Sequence, residues 1–244
     1  GFVLKFCSPC IPPIITSSSD TVICSGDSVA LTAVGANNYS WNPFSGLSAQ
    51  TGNIVTTSPS TSTTYTLIGT DVNGCSDTAT VTVNVNSLPL IMISGNALIC
   101  TGDSLFLSAS GVVSYSWSAA NGLSAVTGSN VIAYPTGTTT YTITGTDSNG
   151  CSDTSQITVV VTLMPSAFAG NDTSICEGNS VTLSAGGGTN YTWFPVASLN
   201  NWSSPTPIAT PSLTITYTVT AANGPCIDKD DVTIIVEFAP AVNA

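Results

Sequence analysis

Residues of the same type recur along this chain at a fixed separation of 76 positions. The first cysteine of each unit obeys this spacing, as do a Tyr-x-Trp pair and a later tyrosine. The residues that carry the period are Cys24, Cys100 and Cys176, then Tyr39, Tyr115 and Tyr191, then Trp41, Trp117 and Trp193, and finally Tyr65, Tyr141 and Tyr217. Such a constant period is the signature of a tandem array. The sequence therefore predicts three similar modules.

Prolines mark the predicted joins between modules. These linker prolines are Pro13, Pro89 and Pro165. We predict an N-terminal cysteine-containing segment at residues 1–11, followed by modules at residues 12–86, 87–162 and 163–238. Residues 239–244 are interpreted as a linker or the start of a further repeat, because Pro240 stands where a fourth linker proline would fall.

Alternation of apolar and polar residues predicts short β-strands in every module. In the first module, Ile14 to Cys24 is predicted as one edge strand, and Asp77 to Asn86 as a closing strand with its valines inward. Seven or so strands per repeat, with a tryptophan on the third, are typical of an immunoglobulin-type sandwich. The predicted core residues are Trp41, Trp117, Trp193, Tyr65, Tyr141 and Tyr217. We expect the modules to stack into an elongated all-β array.

Composition excludes several functions. Charged residues make up 6% of the chain, and two Lys or Arg stand against thirteen Asp or Glu. Nucleic acids and anionic lipids are held by basic clusters, so neither is an expected partner. The chain has no histidine, which removes Ser-His-Asp catalysis and the commonest metal ligand. We expect no enzyme, no cofactor and, without a run of about 18 apolar residues, no membrane insertion.

Eight cysteines indicate an oxidising, extracellular or cell-surface location. One pairing scheme is within modules, joining Cys24 to Cys75, Cys100 to Cys151 and Cys176 to Cys226. However, in an immunoglobulin-type sandwich the second and sixth strands run the same way, which puts the two cysteines of a module at opposite ends. A cross-module scheme, with Cys24–Cys151 and Cys100–Cys226, avoids this distance and assigns Cys7 or Cys10 to Cys75. Both schemes stay open at this point.

Several motifs resemble those of a known family. Three strings carry the resemblance. These are C-x-G-D-S-x-x-L-[ST]-A, which begins at Cys24 and Cys100, then Y-x-W, and finally T-T-Y-T-x-x-G-T-D-x-N-G-C-S-D-T. In these strings the chain resembles the PKD-like and immunoglobulin-like repeats of Bacteroidetes cell-surface proteins. The resemblance covers almost the whole chain from Ile11 onward. It implies secretion by the type IX system and a role in adhesion, gliding or surface filaments. The third repeat departs from the pattern at Glu177-Gly178-Asn179 and before Cys226.

Three weaker signals are also present. Alternating oxygen ligands around Asp71, Asp77, Asp147 and Asp153 have some character of a calcium loop, but a hairpin turn with Asn-Gly is the favoured interpretation, since Asp71 and Asp147 have no equivalent in the third repeat. Trp202 has no counterpart in the other repeats and is a candidate ligand contact. An Asp-Ser or Asp-Thr pair followed by a small or aliphatic residue resembles the O-glycosylation signal of the same bacterial family. The candidate acceptors are Thr21, Ser28, Thr78 and Ser104.

These observations lead to two functional hypotheses. The first is an extracellular structural or adhesive stalk, or a filament subunit, of a bacterial surface. Its partners would be other copies of the chain, other surface proteins or glycans. The alternative is a set of carbohydrate-binding or spacer modules of a larger secreted enzyme, which requires exposed aromatic residues such as Trp202, Phe44 or Phe194.

Overall fold

The computed structural model describes residues 10–238, and every regular element in that range is a β-strand. The predictions made for Cys7 and for residues 239–244 lie outside the described residues. Strands of the first repeat are β1 Thr16–Ser17, β2 Thr21–Cys24, β3 Val29–Val34, β4 Asn38–Asn42, β5 Ile54–Thr57, β6 Thr63–Thr70 and β7 Ser76–Asn86. Strands of the second are β8 Met92–Ser94, β9 Leu98–Cys100, β10 Leu105–Ser110, β11 Ser114–Ser118, β12 Asn130–Ala133, β13 Thr139–Thr146 and β14 Ser152–Thr162. Strands of the third are β15 Thr173–Cys176, β16 Val181–Thr182, β17 Asn190–Phe194, β18 Ile208–Ala209, β19 Ile215–Asn223 and β20 Cys226–Glu237.

The first repeat forms two sheets, with strand orders β1-β3-β5 and β2-β7-β6-β4. Strand β1 pairs antiparallel with β3, whereas β2 pairs parallel with β7. The single edge strand predicted from Ile14 to Cys24 was therefore wrong, since the chain changes sheets between β1 and β2. Asp20 fixes this change of sheet, because its carboxylate accepts a hydrogen bond from the backbone N–H of Thr82 at 2.7 Å.

Alternating side chains from both sheets of the first repeat fill one core. Leu31 and Val55 from the first sheet pack in the same cluster as Trp41, Tyr65 and Val81 from the second. The Trp41 indole N–H donates to the backbone carbonyl of Gly52 at 3.0 Å. The Tyr65 hydroxyl donates to the carbonyl of Ser45 at 2.8 Å. The two large aromatic residues are therefore buried with their polar atoms satisfied, as a stable core requires.

The second repeat uses the same arrangement, and the third differs in that its first sheet has two strands instead of three. Their strand orders are β12-β10-β8 with β11-β13-β14-β9, and β16-β18 with β15-β20-β19-β17. The remaining predicted core residues are all buried, namely Trp117, Trp193, Tyr141 and Tyr217. Each indole again donates to a backbone carbonyl eleven residues later in the chain, that of Gly128 at 2.9 Å and that of Ser204 at 3.0 Å.

The described chain divides into two compact units whose limits differ from the predicted module limits. The first unit contains residues 10–91 together with Gly111–Ser114 and Gly145–Asp153. The second contains Met92–Ser110, Tyr115–Thr144 and residues 154–238. The first unit thus includes the first repeat and the β13–β14 hairpin of the second repeat. The module limits themselves stay predictions.

One glycine per repeat lies against the backbone that leads into that repeat. Gly35, Gly111 and Gly187 follow the 76-residue period and have positive φ angles of 103°, 108° and 85°. A Cβ atom at these positions would overlap the carbonyl oxygens of Ile14, Leu90 and Ser166, respectively. Only glycine allows this close backbone approach together with the left-handed conformation. Each glycine therefore lets the start of its repeat pack closely against the segment that follows β3, β10 or β16.

Candidate functional site: disulfide links between repeats

The first cysteine of each repeat ends an edge strand and precedes a tight turn. Cys24 is the last residue of β2 and lies opposite Asn86, the last residue of β7. The turn after it is closed by the N–H of Ser25, which donates to Asn86 at 2.8 Å, and by the N–H of Asp27, which donates to Cys24 at 3.0 Å. Gly26 supplies the positive φ of 94° that the turn needs. The Cys24 sulfur is thereby held at the end of the sheet where β7 finishes.

The second cysteine lies in the hairpin between the last two strands. In the first repeat, one carboxylate oxygen of Asp71 accepts hydrogen bonds from the N–H groups of Asn73 and Cys75, both at 2.8 Å. Asp147 makes the same two contacts with Asn149 and Cys151, at 2.8 and 2.9 Å. These bonds hold the hairpin cysteine in place at the end of the sheet where β7 or β14 begins.

The register of β7 separates the two cysteines of the first repeat. Cys75 immediately precedes this 11-residue strand, and Cys24 lies beside its other end. An antiparallel strand of this length spans about 36 Å, whereas disulfide-bonded residues have Cα atoms within about 7 Å. A bond between Cys24 and Cys75 is therefore geometrically impossible in this fold. The same holds for Cys176 and Cys226, which are separated by the 12-residue strand β20.

The structure instead contains three other disulfides. Cys24 is bonded to Cys151 and Cys100 to Cys226, with Cα atoms 5.6 and 5.7 Å apart. Cys75 is bonded to Cys10, again with a Cα separation of 5.6 Å. Each of the first two bonds connects the β2-type strand end of one repeat to the hairpin of the next. These are the pairs of the cross-module scheme, and the within-module alternative is not the pairing found in this fold.

Cys176 is the free cysteine among the described residues, and its side chain is exposed. Its backbone surroundings match those of Cys24 and Cys100. The N–H of Glu177 donates to Glu237 at 3.0 Å, and the N–H of Asn179 donates to Cys176 at 3.1 Å. Gly178 has the positive φ of 83°. The third repeat thus presents the same turn with a thiol in place of a disulfide.

The acidic residues considered for calcium have local structural contacts. Asp71 and Asp147 cap their hairpins, and the Asp77 carboxylate accepts the N–H of Thr78 at 2.8 Å. Asp153 belongs to β14 and is half-buried. In residues 10–238, no three acidic, cysteine or histidine side chains come close enough to hold a metal ion. Two backbone N–H groups bind one carboxylate oxygen of Asp71 and, in the second repeat, of Asp147.

Asp71→Asn should destabilise the hairpin at neutral pH, and this loss should vanish in acid. The N–H of Cys75, followed by that of Asn73, keeps the pKa of Asp71 below its ordinary value. A carboxylate with a lowered folded pKa contributes stability above its unfolded pKa and loses it as the pH falls through the folded pKa. The melting temperatures of the wild type and the variant should therefore differ at neutral pH and converge once the pH falls below the lowered pKa of Asp71. Asp103→Asn, at an exposed turn position, is the control; a difference that persists in acid would contradict this role.

The remaining predicted sites lie on the surface to different degrees. The Trp202 side chain is 52% exposed, and Phe194 and Phe44 are 72% and 54% exposed. Of the candidate glycosylation acceptors, Ser28, Thr78 and Ser104 are exposed and Thr21 is half-buried. Glycosylation at these positions stays a prediction.

Sequence reasoning missed two sets of residues that hold the first segment of a repeat against the rest of the same repeat. The first is the periodic glycine set Gly35, Gly111 and Gly187. The second is a pair of aspartates in β20, since the carboxylates of Asp228 and Asp230 accept the N–H groups of Ala167 and Ala169, both at 2.8 Å.

Comparison with known proteins gives the fold but no closer relationship. Neither a protein-family model nor a curated protein sequence matches the chain. Among solved structures, the N-terminal eight Ig domains of Down Syndrome Cell Adhesion Molecule isoform 1.30.30 align over 93% of this chain at 14% identity and a TM-score of 0.53. This chain spans 37% of the length of that structure.

Two further structures align over most of the chain with lower scores. Extracellular domains 3–5 of Drosophila OTK cover 96% of this chain and 100% of their own, at 11% identity and a TM-score of 0.46. An I-band fragment of titin covers 93% of this chain and 99% of its own, at 14% identity and a TM-score of 0.45. The likeness to the first structure and the two-sheet cores establish the fold as tandem immunoglobulin-like β-sandwich modules. None of the described residues belongs to a helix that could span a bilayer.

Proposed function

We propose that this chain is a structural or adhesive stalk segment of a secreted protein at a bacterial surface. One observation carries the proposal: the bonds Cys24–Cys151 and Cys100–Cys226 each connect one repeat covalently to the next. A spacer has to transmit force between its ends, and covalent links between successive modules serve that purpose. Disulfides persist in oxidising surroundings, which supports a location outside the cell. The bacterial origin rests on the motif resemblance.

The surface composition also supports a stalk. Exposed positions are filled mainly by Ser, Thr, Asn and Gly, and cross-strand hydroxyl pairs occur in every repeat. These pairs are Thr64–Thr82 at 3.0 Å, Thr140–Thr158 at 2.8 Å and Thr216–Thr233 at 2.9 Å. Hydroxyl groups keep the sheets soluble without charge, and only Lys5 and Lys229 offer trypsin a site. Such a surface suits a segment that has to endure proteases and changing salt.

Small-angle X-ray scattering of the oxidised chain tests the proposal. A stalk requires the repeats to follow one another along one axis, and three modules of about 35 Å would extend over about 100 Å. The expected radius of gyration is about 30 Å, against about 18 Å for a single globule of this length. A radius close to the globular value would contradict the stalk.

Exposed aromatic residues in the third repeat favour a second candidate, a carbohydrate-binding surface. Trp202 and Phe194 are both more than half exposed, and Trp202 stands where the same loop of the other repeats has Gln50 and Val126. The backbone carbonyl of Trp202 accepts the N–H of Trp193 at 2.8 Å, which holds this loop beside β17. Flat aromatic faces presented to solvent are suited to stacking on sugar rings.

A glycan array probed with the fluorescently labelled chain distinguishes the two candidates. If the surface binds carbohydrate, Trp202→Ala should abolish the array signal, because the stacking face is lost. Phe106→Ala changes an aromatic residue of similar exposure in the second repeat and should leave the signal unchanged. Absence of any signal from the wild-type chain would remove this candidate and leave the stalk proposal untouched.

A further inference from the structure

The three disulfides create a covalent route along the chain that is far shorter than the backbone. From Cys10 the route crosses to Cys75, follows the backbone for 25 residues to Cys100, crosses to Cys226 and ends 12 residues later at Phe238. It contains 37 residues, whereas the backbone from Cys10 to Phe238 contains 228. Tension applied to the ends of a cross-linked chain is carried by its shortest covalent route once that route is taut.

We infer that these bonds make the chain a nearly inextensible tether, in which tension bypasses most of each sandwich core. The two backbone segments of the route lie mostly in β7, β8, β9 and β20, where each residue already spans about 3.3 Å. A fully stretched residue spans at most about 3.6 Å. Unfolding therefore adds little length to these strands.

The bypassed segments contain most of each hydrophobic core. Because of the bond Cys10–Cys75, the covalent route does not pass through β3, β4 and β6 of the first repeat. Because of the bond Cys100–Cys226, it does not pass through β10, β13, β17 and β19. Trp41, Trp117 and Trp193 all lie in bypassed segments. Most of the residues that stabilise the modules consequently lie off the load-bearing route, although Val81 and Val83 of β7 and Val232 and Ile234 of β20 belong to both sets.

The third bond, Cys24–Cys151, belongs to a second covalent route through the chain. Cys24–Cys151 leads into the 25 residues that end at Cys176, the same spacing as from Cys75 to Cys100. This bond is not part of the shortest route between Cys10 and Phe238. Two bonds of almost equal sequence separation, 127 and 126 residues, thus differ completely in their expected effect on length.

Single-molecule stretching of the full chain, attached through its two ends, tests this inference. Cys7 and Cys176 are replaced by serine in every protein to prevent disulfide exchange. The straightened route from Cys10 to Phe238 should measure about 130 Å when oxidised and about 800 Å after reduction. Straightened length depends on the disulfides that have formed, so non-reducing peptide mapping first verifies the remaining bonds of each variant.

Two matched serine pairs make the test specific. Cys24→Ser with Cys151→Ser should leave the straightened length at 37 residues. Cys100→Ser with Cys226→Ser should lengthen the shortest route to 101 residues, a gain of about 220 Å. Equal effects of the two pairs would overturn the inference. An oxidised wild-type length near 76 residues, or about 270 Å, would reveal within-module bonds and overturn it as well.

This inference rests on the proposed stalk function, which gives tension a physiological role, but its test is independent. The stretching experiment measures length, and solution scattering measures the arrangement of the repeats. A compact particle with a 37-residue route would contradict the stalk and retain the bypass. An extended particle with a route longer than 37 residues would support the stalk and contradict the bypass.

Discussion

Trp193→Ala should lower the free energy of unfolding by about 3–5 kcal/mol, the usual loss for removing a large aromatic side chain from a core. The indole is 2% exposed and packs in the cluster that includes Leu183, Tyr217 and Ile234. Its N–H donates to the carbonyl of Ser204 at 3.0 Å, so the substitution also deprives that carbonyl of its donor. Urea denaturation followed by circular dichroism measures the change.

Trp202→Ala is the matched control, because it removes the same side chain from the same repeat. This residue is 52% exposed, and a surface substitution of this kind usually changes stability by less than about 0.5 kcal/mol. Equal losses at Trp193 and Trp202 would show that the core assignment of the third repeat is incorrect.

Gly35→Ala should lower the free energy of unfolding by about 3 kcal/mol, since the substitution strains the backbone and also creates a steric overlap. An alanine at a φ of 103° is strained by about 1–2 kcal/mol. Its Cβ would also overlap the carbonyl oxygen of Ile14, and relief of a backbone overlap typically costs a further 1–3 kcal/mol or so. Thermal or urea unfolding of the oxidised protein measures the sum.

Gly26→Ala separates these two penalties. Gly26 has a similar φ of 94°, but a Cβ there would meet nothing within 4 Å. Only the conformational strain of about 1–2 kcal/mol is expected. If Gly35→Ala and Gly26→Ala lower the free energy of unfolding equally, the close approach of the Ile14 backbone does not contribute to the loss at Gly35.

The sequence was sufficient to predict the all-β class and the core of each repeat. Strand alternation in β7 correctly placed Val81 and Val83 inside, and both are 0% exposed. The Tyr-x-Trp pattern likewise identified Trp41, Trp117 and Trp193 as core residues. These predictions depend on local periodicity, which a single sequence displays directly.

Features that depend on distant backbone were beyond the reach of the sequence. The split of the predicted Ile14–Cys24 strand depends on Asp20 meeting the N–H of Thr82, which lies 62 residues away. The role of Gly35 depends on a carbonyl 21 residues earlier in the chain. Periodicity within one strand contains no information about either contact, so neither could be predicted.

The cysteines show an intermediate case. Their period, and their expected positions at opposite ends of each sandwich, reduced the possible disulfide pairings to two schemes. Choosing between these required the observed register, in which Cys24 lies opposite Asn86 at the far end of β7 from Cys75. A pattern of residue types thus limited the connectivity, and the register decided it.

Because every link between repeats joins the strand-end cysteine of one to the hairpin cysteine of the next, the array can change its number of repeats without losing covalent continuity. Loss of residues 87–162 by recombination would remove Cys100 and Cys151 together and leave Cys24 to face Cys226. Cys10–Cys75 and the free thiol of Cys176 would keep their places. With bonds of this kind, the array can gain or lose whole repeats and still join each repeat to the next. An insertion that is not a whole repeat would separate the cysteines that form these disulfides.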